Sequence, residues 1–358
     1  MIYGVIMAGG KGERFWPASR RSKPKQVLTM FGNKSLLQLT INRMSKLVSE
    51  DRILVVSNSA QEKAIKKECC LLPSENILLE PIGKNTAPCI VWAATWIEHY
   101  DPEGVMVVVP ADQSIGNEEM FVEVLKFCTS TALKEDVLIT LGISPTRPES
   151  GYGYIHRGKL FGEDDKHRLF NVEGFKEKPS IEIAGDYLES GDYLWNSGMF
   201  IWSVKAILEA TKSFMPDLYK SSRELKDTIG TSQEKEAFVK FYEQAEKVSI
   251  DYGIMEKAQN VLVAEASFGW DDLGSWSSLE RHMQKDENGN TVRGEAHLEE
   301  CRNCLVVSDE GIVTLLGLEN IIVVRDSNAV LVLDKKKDQE VRKILQGLRK
   351  RSDAHYYE

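Results

Sequence analysis

Short apolar runs rich in β-branched residues alternate along the first 145 positions with stretches in which apolar residues recur at helical spacing. GVIMA (4–8), RILVVS (52–57), GVMVVVP (104–110) and DVLITLG (136–142) read as buried strands. SLLQLTINRMSKLV (35–48), APCIVWAATWIEHY (87–100) and EMFVEVLKFCTSTAL (119–133) read as amphipathic helices. This alternation predicts an α/β fold, Rossmann-like, with a mostly parallel sheet and helices on both faces. From about 205 to 260 the pattern is helical and charged. Beyond about 288 it breaks into short strands separated by Gly, Asp and Asn turns, and Val341, Ile344, Leu345 and Leu348 then mark a closing helix. ENGN (287–290) reads as a linker, which divides the chain into domains 1–286 and 287–358.

In sheets of this kind ligands bind outside the carboxyl ends of the strands. A glycine-rich stretch follows the first predicted strand, and Pro110-Ala111-Asp112 ends the third. Gly9, Gly10 and Gly12 expose backbone N–H groups without intervening side chains, and such a concave array suits phosphate oxygens. A turn that merely reverses the chain is the plain alternative. GxxxxGK[ST] and GxGxxG are both absent, and RILVVSNS ends without the acidic residue that a dinucleotide fold places there. Arg14 and Lys25 can converge on one polyphosphate, the arginine through its planar fork and the lysine as a point charge. Arg20, Arg21 and Lys23 read as solvated surface.

The overall charge sharpens this reading. The chain of 358 residues carries a net charge of −9, which argues against nucleic acid and anionic membrane as partners. Yet Gly9–Lys25 gathers six Lys or Arg against one Glu, so a small anionic ligand is expected. Six scattered cysteines, with a lone CxxC at Cys301 and Cys304, predict free thiols in a reducing cytoplasm and no zinc site. No apolar run is long enough to span a bilayer.

GGKGERFWPASR with PKQVL resembles the signature of the sugar-1-phosphate nucleotidyltransferases, in particular their mannose-1-phosphate guanylyltransferase branch. LEPIGKNTAP (79–88), VPAD (109–112), GYGYI (151–155), FKEKP (175–179), WNSGMF (195–200), SIDYGIMEK (249–257) and GWDDLGSW (269–276) agree in order, spanning residues 1 to about 285. The tail resembles the family's short left-handed β-helix domain, and the chain is too short for the phosphomannose isomerase domain of the bifunctional members. Two positions depart from the pattern. Gln113 replaces a His after PAD, a change that could tune a metal's surroundings, and Val27 replaces a Phe, a packing change.

The resemblance implies that Asp112 and Asp272 pair on Mg²⁺, which hard carboxylate oxygens suit, with Asp271 as competitor for the second role. A strand-end turn or helix cap is the alternative for Asp112. Glu80 is a sensible guanine selector, because guanine presents N1–H and an amino group on one edge and a carboxylate accepts both. Ala8 and Gly9 are implied as base contacts by resemblance alone. Asn85 and Thr86 open the next helix, where capping and nucleotide contact are compatible. Lys178 pairs with the sugar phosphate and Glu177 accepts sugar hydroxyls, unless KEK is a solvated cluster; Asn196 reads hydroxyls and Gly153 admits backbone to the sugar. Trp195, Phe200 and Trp270 read as pocket walls or core, and Asp251 and Glu256 default to a structural salt bridge.

The implied reaction joins GTP and mannose 1-phosphate into GDP-mannose and pyrophosphate. Another nucleotide or hexose, or a sensor that keeps the fold without turnover, are the rival readings. A homodimer through the apolar face of the last helix is a further expectation.

Overall fold

The computed structural model describes residues 1–353 and residue 357; residues 354–356 and 358, the end of the expected second domain, lie outside the described residues. Strands β1 (Ile2–Met7), β2 (Ile53–Asn58), β3 (Ile77–Glu80) and β4 (Val105–Pro110) lie in the order β3-β2-β1-β4, all parallel. Their bounds fall within a residue or two of the predicted runs where runs were predicted. Each is a continuous apolar run because both faces are covered.

After the two-residue β5 (Ser114–Ile115), the sheet continues through β6 (Leu138–Ile143), β7 (Tyr154–Glu163), β8 (Arg168–Lys176), β9 (Tyr193–Ser203) and β10 (Val261–Ala266), in the order β4-β9-β6-β10-β8-β7. β9 runs antiparallel to both β4 and β6, so the parallel half meets a mixed half at its own segment YLWNSGMFIWS. Nothing in apolar alternation singles out that segment's direction, which is set by the long return of the chain through β7 and β8. The short β11 (Trp270–Asp271) pairs with β5.

Helices α1 (Leu36–Met44), α2 (Glu62–Glu68), α3 (Thr86–Tyr100), α4 (Glu118–Ala132), α5 (Ile181–Ser190), α6 (Val204–Phe214), α7 (Pro216–Lys226) and α8 (Glu234–Gln244) cover the sheet. Leu37, Ile41 and Met44 of α1 and Phe121, Leu125 and Cys128 of α4 pack on one face; Ile90, Ala94 and Ile97 of α3 pack with α6 to α8 on the other. Each fully buried aliphatic side chain contributes roughly 1.5–3 kcal/mol. Caps fix where helices begin: Ser35 and Gln38 form a reciprocal capping box, and Asn117 accepts from the Met120 amide at 3.0 Å.

After α9 (Trp276–Glu280), strands β12 (Thr291–Glu299), β13 (Leu305–Leu316) and β14 (Ile321–Asp326) stack in parallel, and β15 (Ala329–Asp334) returns antiparallel. This is a β-helix-like unit. It ends in a 3₁₀ segment, Lys335–Glu340, and helix α10 (Val341–Leu348). ENGN is an ordered turn: Asp286 accepts from the Asn288 and Asn290 amides, and buried Asn290 ties to Cys301 O and the Cys304 amide. Val341 and Leu345, the face of α10 that the sequence leaves open for a dimer contact, instead pack inside the chain in a cluster with Phe15, Trp16, Trp276, Leu305 and Ile322. The six cysteines are free, and no helix among the described residues is long and apolar enough to cross a membrane.

Candidate active site

The glycine loop leaves the carboxyl end of β1 and is pinned from below. Gln26 donates to Ala8 O and at 3.0 Å to Gln61, Ser57 Oγ donates to Ala8 O at 2.9 Å, and Gln61 donates to Gly10 O at 3.1 Å. Gly12 holds a left-handed backbone (φ 63°), and a Cβ there would collide with Lys25 Cβ. No other residue type fits this approach, and the approach sets Lys25 beneath the loop.

Lys25 is buried, only 5 % exposed. Its Nζ donates to Asp112 Oδ2 at 2.8 Å and to the backbone oxygen of Asp272 at 2.9 Å. The ends of β4 and β11 therefore meet at one ammonium. Desolvation pushes the Asp272 carboxyl up to about 6; Lys25 pulls it down, while nearby Asp112 pushes it up. Arg14 also lies within its field, and a Cβ on Gly274 would sit 3.3 Å from both Arg14 Nη1 and Asp272 Oδ2.

Asp271 is engaged elsewhere. Its Oδ2 accepts from Arg281 Nε and Nη2 at 2.9 and 2.7 Å, and its Oδ1 from the Leu273 amide at 2.8 Å. Burial alone would raise this carboxyl; the His282 and Arg281 contacts hold it below the ordinary range. Asp272 thus lines the cavity described next, while Asp271 is tied to Arg281 and the Leu273 amide.

A cavity of about 430 Å³ opens beside Asp272. Asn85, Thr86, Gly153, Glu177, Lys178 and Asn196 line it. Asn85 caps α3, accepting from the Thr86 amide at 2.9 Å, while Thr86 Oγ1 accepts from the Ile250 amide at 2.8 Å. Asn196 donates to Asp251 at 2.9 Å, and its own amide donates to Gly153 O at 2.8 Å. A Cβ on Gly153 would come within 3.0 Å of Glu177. Lys178, with its side chain 62 % exposed, pairs with Glu177 at the rim at 2.5 Å. Asp251 and Glu256 form no salt bridge among the described residues; both line the cavity and both titrate high, chiefly through burial, with Glu177 adding to it. The cavity is a ring of hydroxyl acceptors with cations at its lip.

Glu80 ends β3 and is 4 % exposed. Its Oε2 faces Gly9, where a Cβ would come within 3.2 Å, and its Oε1 has no hydrogen-bond partner among the described residues. Burial pushes this carboxyl up to about 7, against the opposing influence of the buried Tyr242 hydroxyl behind it. On the outer side of Gly9 a second hollow of about 490 Å³ is bounded by Asn58, Pro81 and Gly83.

Residues 3–289 match the family model for nucleotidyl transferases, and residues 297–348 match that of a MannoseP isomerase/GMP-like beta-helix domain. The chain belongs to the nucleotidyl transferase family. It is similar to the mannose-1-phosphate guanylyltransferase of Klebsiella pneumoniae, 37% identical over 99% of this chain and 76% of that one. A counterpart from Escherichia coli is also 37% identical with the same coverage. Among solved structures, that of a mannose-1-phosphate geranyltransferase from Thermus thermophilus is 34% identical with a TM-score of 0.87, covering 97% of this chain and 99% of that one.

Within this family frame, two features were invisible in the sequence motifs. Gln113 has both ends of its amide engaged: its Nε2 donates to Ser197 O at 2.7 Å and its Oε1 accepts from Trp270 Nε1 at 2.9 Å. Both ends of the amide are used to lock β4 to β9 and β11, next to Asp112. Trp195 and Trp270 are core, while Phe200 contributes to the cavity wall. Gln26, Ser57 and Gln61 hold the loop through uncharged side chains, which carry no signature of chemistry; only the position of Gln26 beside Lys25 hints at it.

Proposed function

We propose that this protein transfers GMP from GTP to α-D-mannose 1-phosphate, releasing pyrophosphate and forming GDP-mannose. The observation that carries the reading is the single buried ammonium of Lys25 joining Asp112 to the Asp272 backbone beneath a glycine loop. That arrangement is built to hold mutually repelling phosphates, and it opens onto a cavity lined by hydroxyl acceptors. We take residues 1–286 as the catalytic unit, 287–358 as the β-helix unit, and the cytoplasm as its place of work.

The donor set fits a divalent cation. Asp112 and Asp272 are hard oxygen ligands close enough for one to raise the other's carboxyl. No third His, Cys, Asp or Glu joins them in a ligand cluster among the described residues. Two carboxylates, completed by substrate phosphates and water, is how Mg²⁺ is commonly held in phosphoryl-transfer sites. A Mg²⁺ ion held by these two residues would draw phosphate oxygens together and offset their charge.

The chain's own groups do the rest. An oxygen of mannose 1-phosphate is already anionic at neutral pH, so no general base is needed. It attacks the α-phosphorus of GTP as the bond from that phosphorus to the α,β-bridging oxygen breaks, and pyrophosphate leaves with that electron pair. Arg14, Lys25 and the amides of Gly9, Gly10 and Gly12 hold the triphosphate and take up the leaving charge. Lys178 leaves Glu177 to meet the incoming sugar phosphate; Glu177 and Asn196 then accept and donate to sugar hydroxyls, with Gly153 leaving room for the ring. Asn85 and Thr86 border the nucleotide, and Ala8, Gly9 and Glu80 face its base.

A panel of GTP, ATP, UTP and dTTP against mannose 1-phosphate and glucose 1-phosphate, with and without Mg²⁺ and scored by pyrophosphate release, tests the reading. Turnover is expected for GTP with mannose 1-phosphate in the presence of Mg²⁺. Preference for another pair would reassign the substrate.

Glu80 gives this reading a pH signature. Its carboxyl, raised to about 7 in the free protein, accepts the two guanine N–H donors only when ionised. Binding therefore releases a proton as pH falls below 7, and GTP affinity should drop by up to about tenfold per pH unit in that range. Titration calorimetry from pH 5.5 to 8 should show that slope, and Glu80→Gln should remove it. An unchanged slope in the variant would assign it to the phosphates of GTP.

A further inference from the structure

We infer that Gln339 is a positioning residue for Arg14, holding its guanidinium at the phosphate site from the β-helix unit; this rests on the proposed guanylyl transfer. Arg14 Nη1 donates to Gln339 Oε1 at 2.6 Å, across 325 residues of sequence. Arg14 follows three glycines and sits in a single 3₁₀ turn, so its own backbone offers little to fix a long, flexible side chain.

The segment that carries Gln339 is tied down on its own side. Asp338, buried beside it, accepts from Ser275 Oγ at 2.5 Å. Lys335 pairs with buried Glu280 at 2.8 Å and donates to Asn303 at 2.9 Å. Ser275 lies three residues beyond Asp272, so one short segment is tied to both walls of the phosphate site: to the Asp272 stretch through Asp338, and to Arg14 through Gln339. Glu13, next to Arg14, is held from the same side by Arg349 at 2.8 Å and Arg342 at 3.6 Å.

The chemistry of the acceptor matters. An amide oxygen orients a guanidinium without cancelling its charge, and leaves the remaining N–H groups of the fork for phosphate. A carboxylate at the same place would orient it and neutralise it. The adjacent Glu340 is such a carboxylate, and it is occupied by Lys337 and Lys343 instead.

Gln339→Ala should weaken GTP binding and lower kcat/KM for GTP by about tenfold, the size of one lost charge-assisted hydrogen bond. KM for mannose 1-phosphate and the melting temperature should not move. Gln339→Glu, which keeps an acceptor, should also lose GTP affinity because its added carboxylate offsets the guanidinium's positive charge. The deciding measurement is a double-mutant cycle on the Kd for GTP and for inorganic tripolyphosphate, read by calorimetry. If Gln339 acts through Arg14, Gln339→Ala adds nothing in the Arg14→Ala background. A loss that adds in full there, or parent-like affinity in Gln339→Ala alone, overturns the inference. Binding is read without turnover, so absence of turnover in the parent protein would count against the guanylyl transfer and leave the Gln339–Arg14 coupling to be judged on tripolyphosphate.

Discussion

Lys25→Ala should lower kcat at least about 10²-fold, with the folded structure retained. The buried ammonium donates to the Asp112 carboxylate and the Asp272 backbone oxygen and acts through its charge on the Asp272 carboxyl, and its removal leaves that negative charge unopposed where, on the proposed reading, the triphosphate enters. Without it the Asp272 carboxyl rises further, since Lys25 is the principal influence pulling it down. Extra Mg²⁺ would restore part of the charge balance but not the lost donor to the phosphates. Pyrophosphate release under saturating substrates, beside a circular dichroism spectrum of the variant, checks the expectation. Turnover within a few-fold of the parent protein would remove Lys25 from the mechanism.

The adjacent acids Asp271 and Asp272 should separate function from stability. Asp272→Asn should cost about 10³-fold or more in kcat, because on the proposed reading the carboxylate that faces the phosphates is lost. Its effect on melting should be neutral or stabilising, because desolvation disfavours that charge in the free protein. Asp271→Asn should do the reverse. It breaks a pair in which the acid is buried but the Arg281 guanidinium reaches solvent, at a cost of about 1–3 kcal/mol, while any turnover remaining in the folded fraction stays close to the parent value. The sign of the pH effect follows from the depressed carboxyl: Asp271 contributes stability above the ordinary carboxylate range, and that contribution is lost as pH falls through its lowered folded value. Thermal melts paired with steady-state assays of the two variants decide the matter. Equal loss of activity in both would mean that the division of labour is misassigned.

Much of this architecture is legible before any coordinates. The parallel half of the sheet follows from runs such as VMVVVP, which are apolar on both faces because helices cover both faces. The direction of β9 is not legible, since strand polarity depends on where a chain returns and not on its own residues. Charged site residues announce themselves through motif and charge: Arg14, Lys25 and Asp112 stand out in an otherwise ordinary context. The difference between Asp271 and Asp272 cannot be read from their spacing, because it comes from Arg281, ten residues on, reaching back to Asp271 alone. The partners of Gln26, Gln61, Gln113 and Gln339 are silent in sequence for a shared reason. A neutral amide acts by supplying a donor and an acceptor in fixed places, and only the fold says which partners stand there.

Phe15 and Trp16 belong to the same apolar cluster as Leu305, Ile322, Val341 and Leu345. The chain thus carries two recognisable sequence regions but, at this seam, one shared core. The segment that follows the glycine loop cannot loosen without wetting the interior of the far module, and the far module cannot be exchanged for a stranger without recutting that segment. Such a seam ties the two regions into joint inheritance: whatever drift one accepts, the other must accommodate.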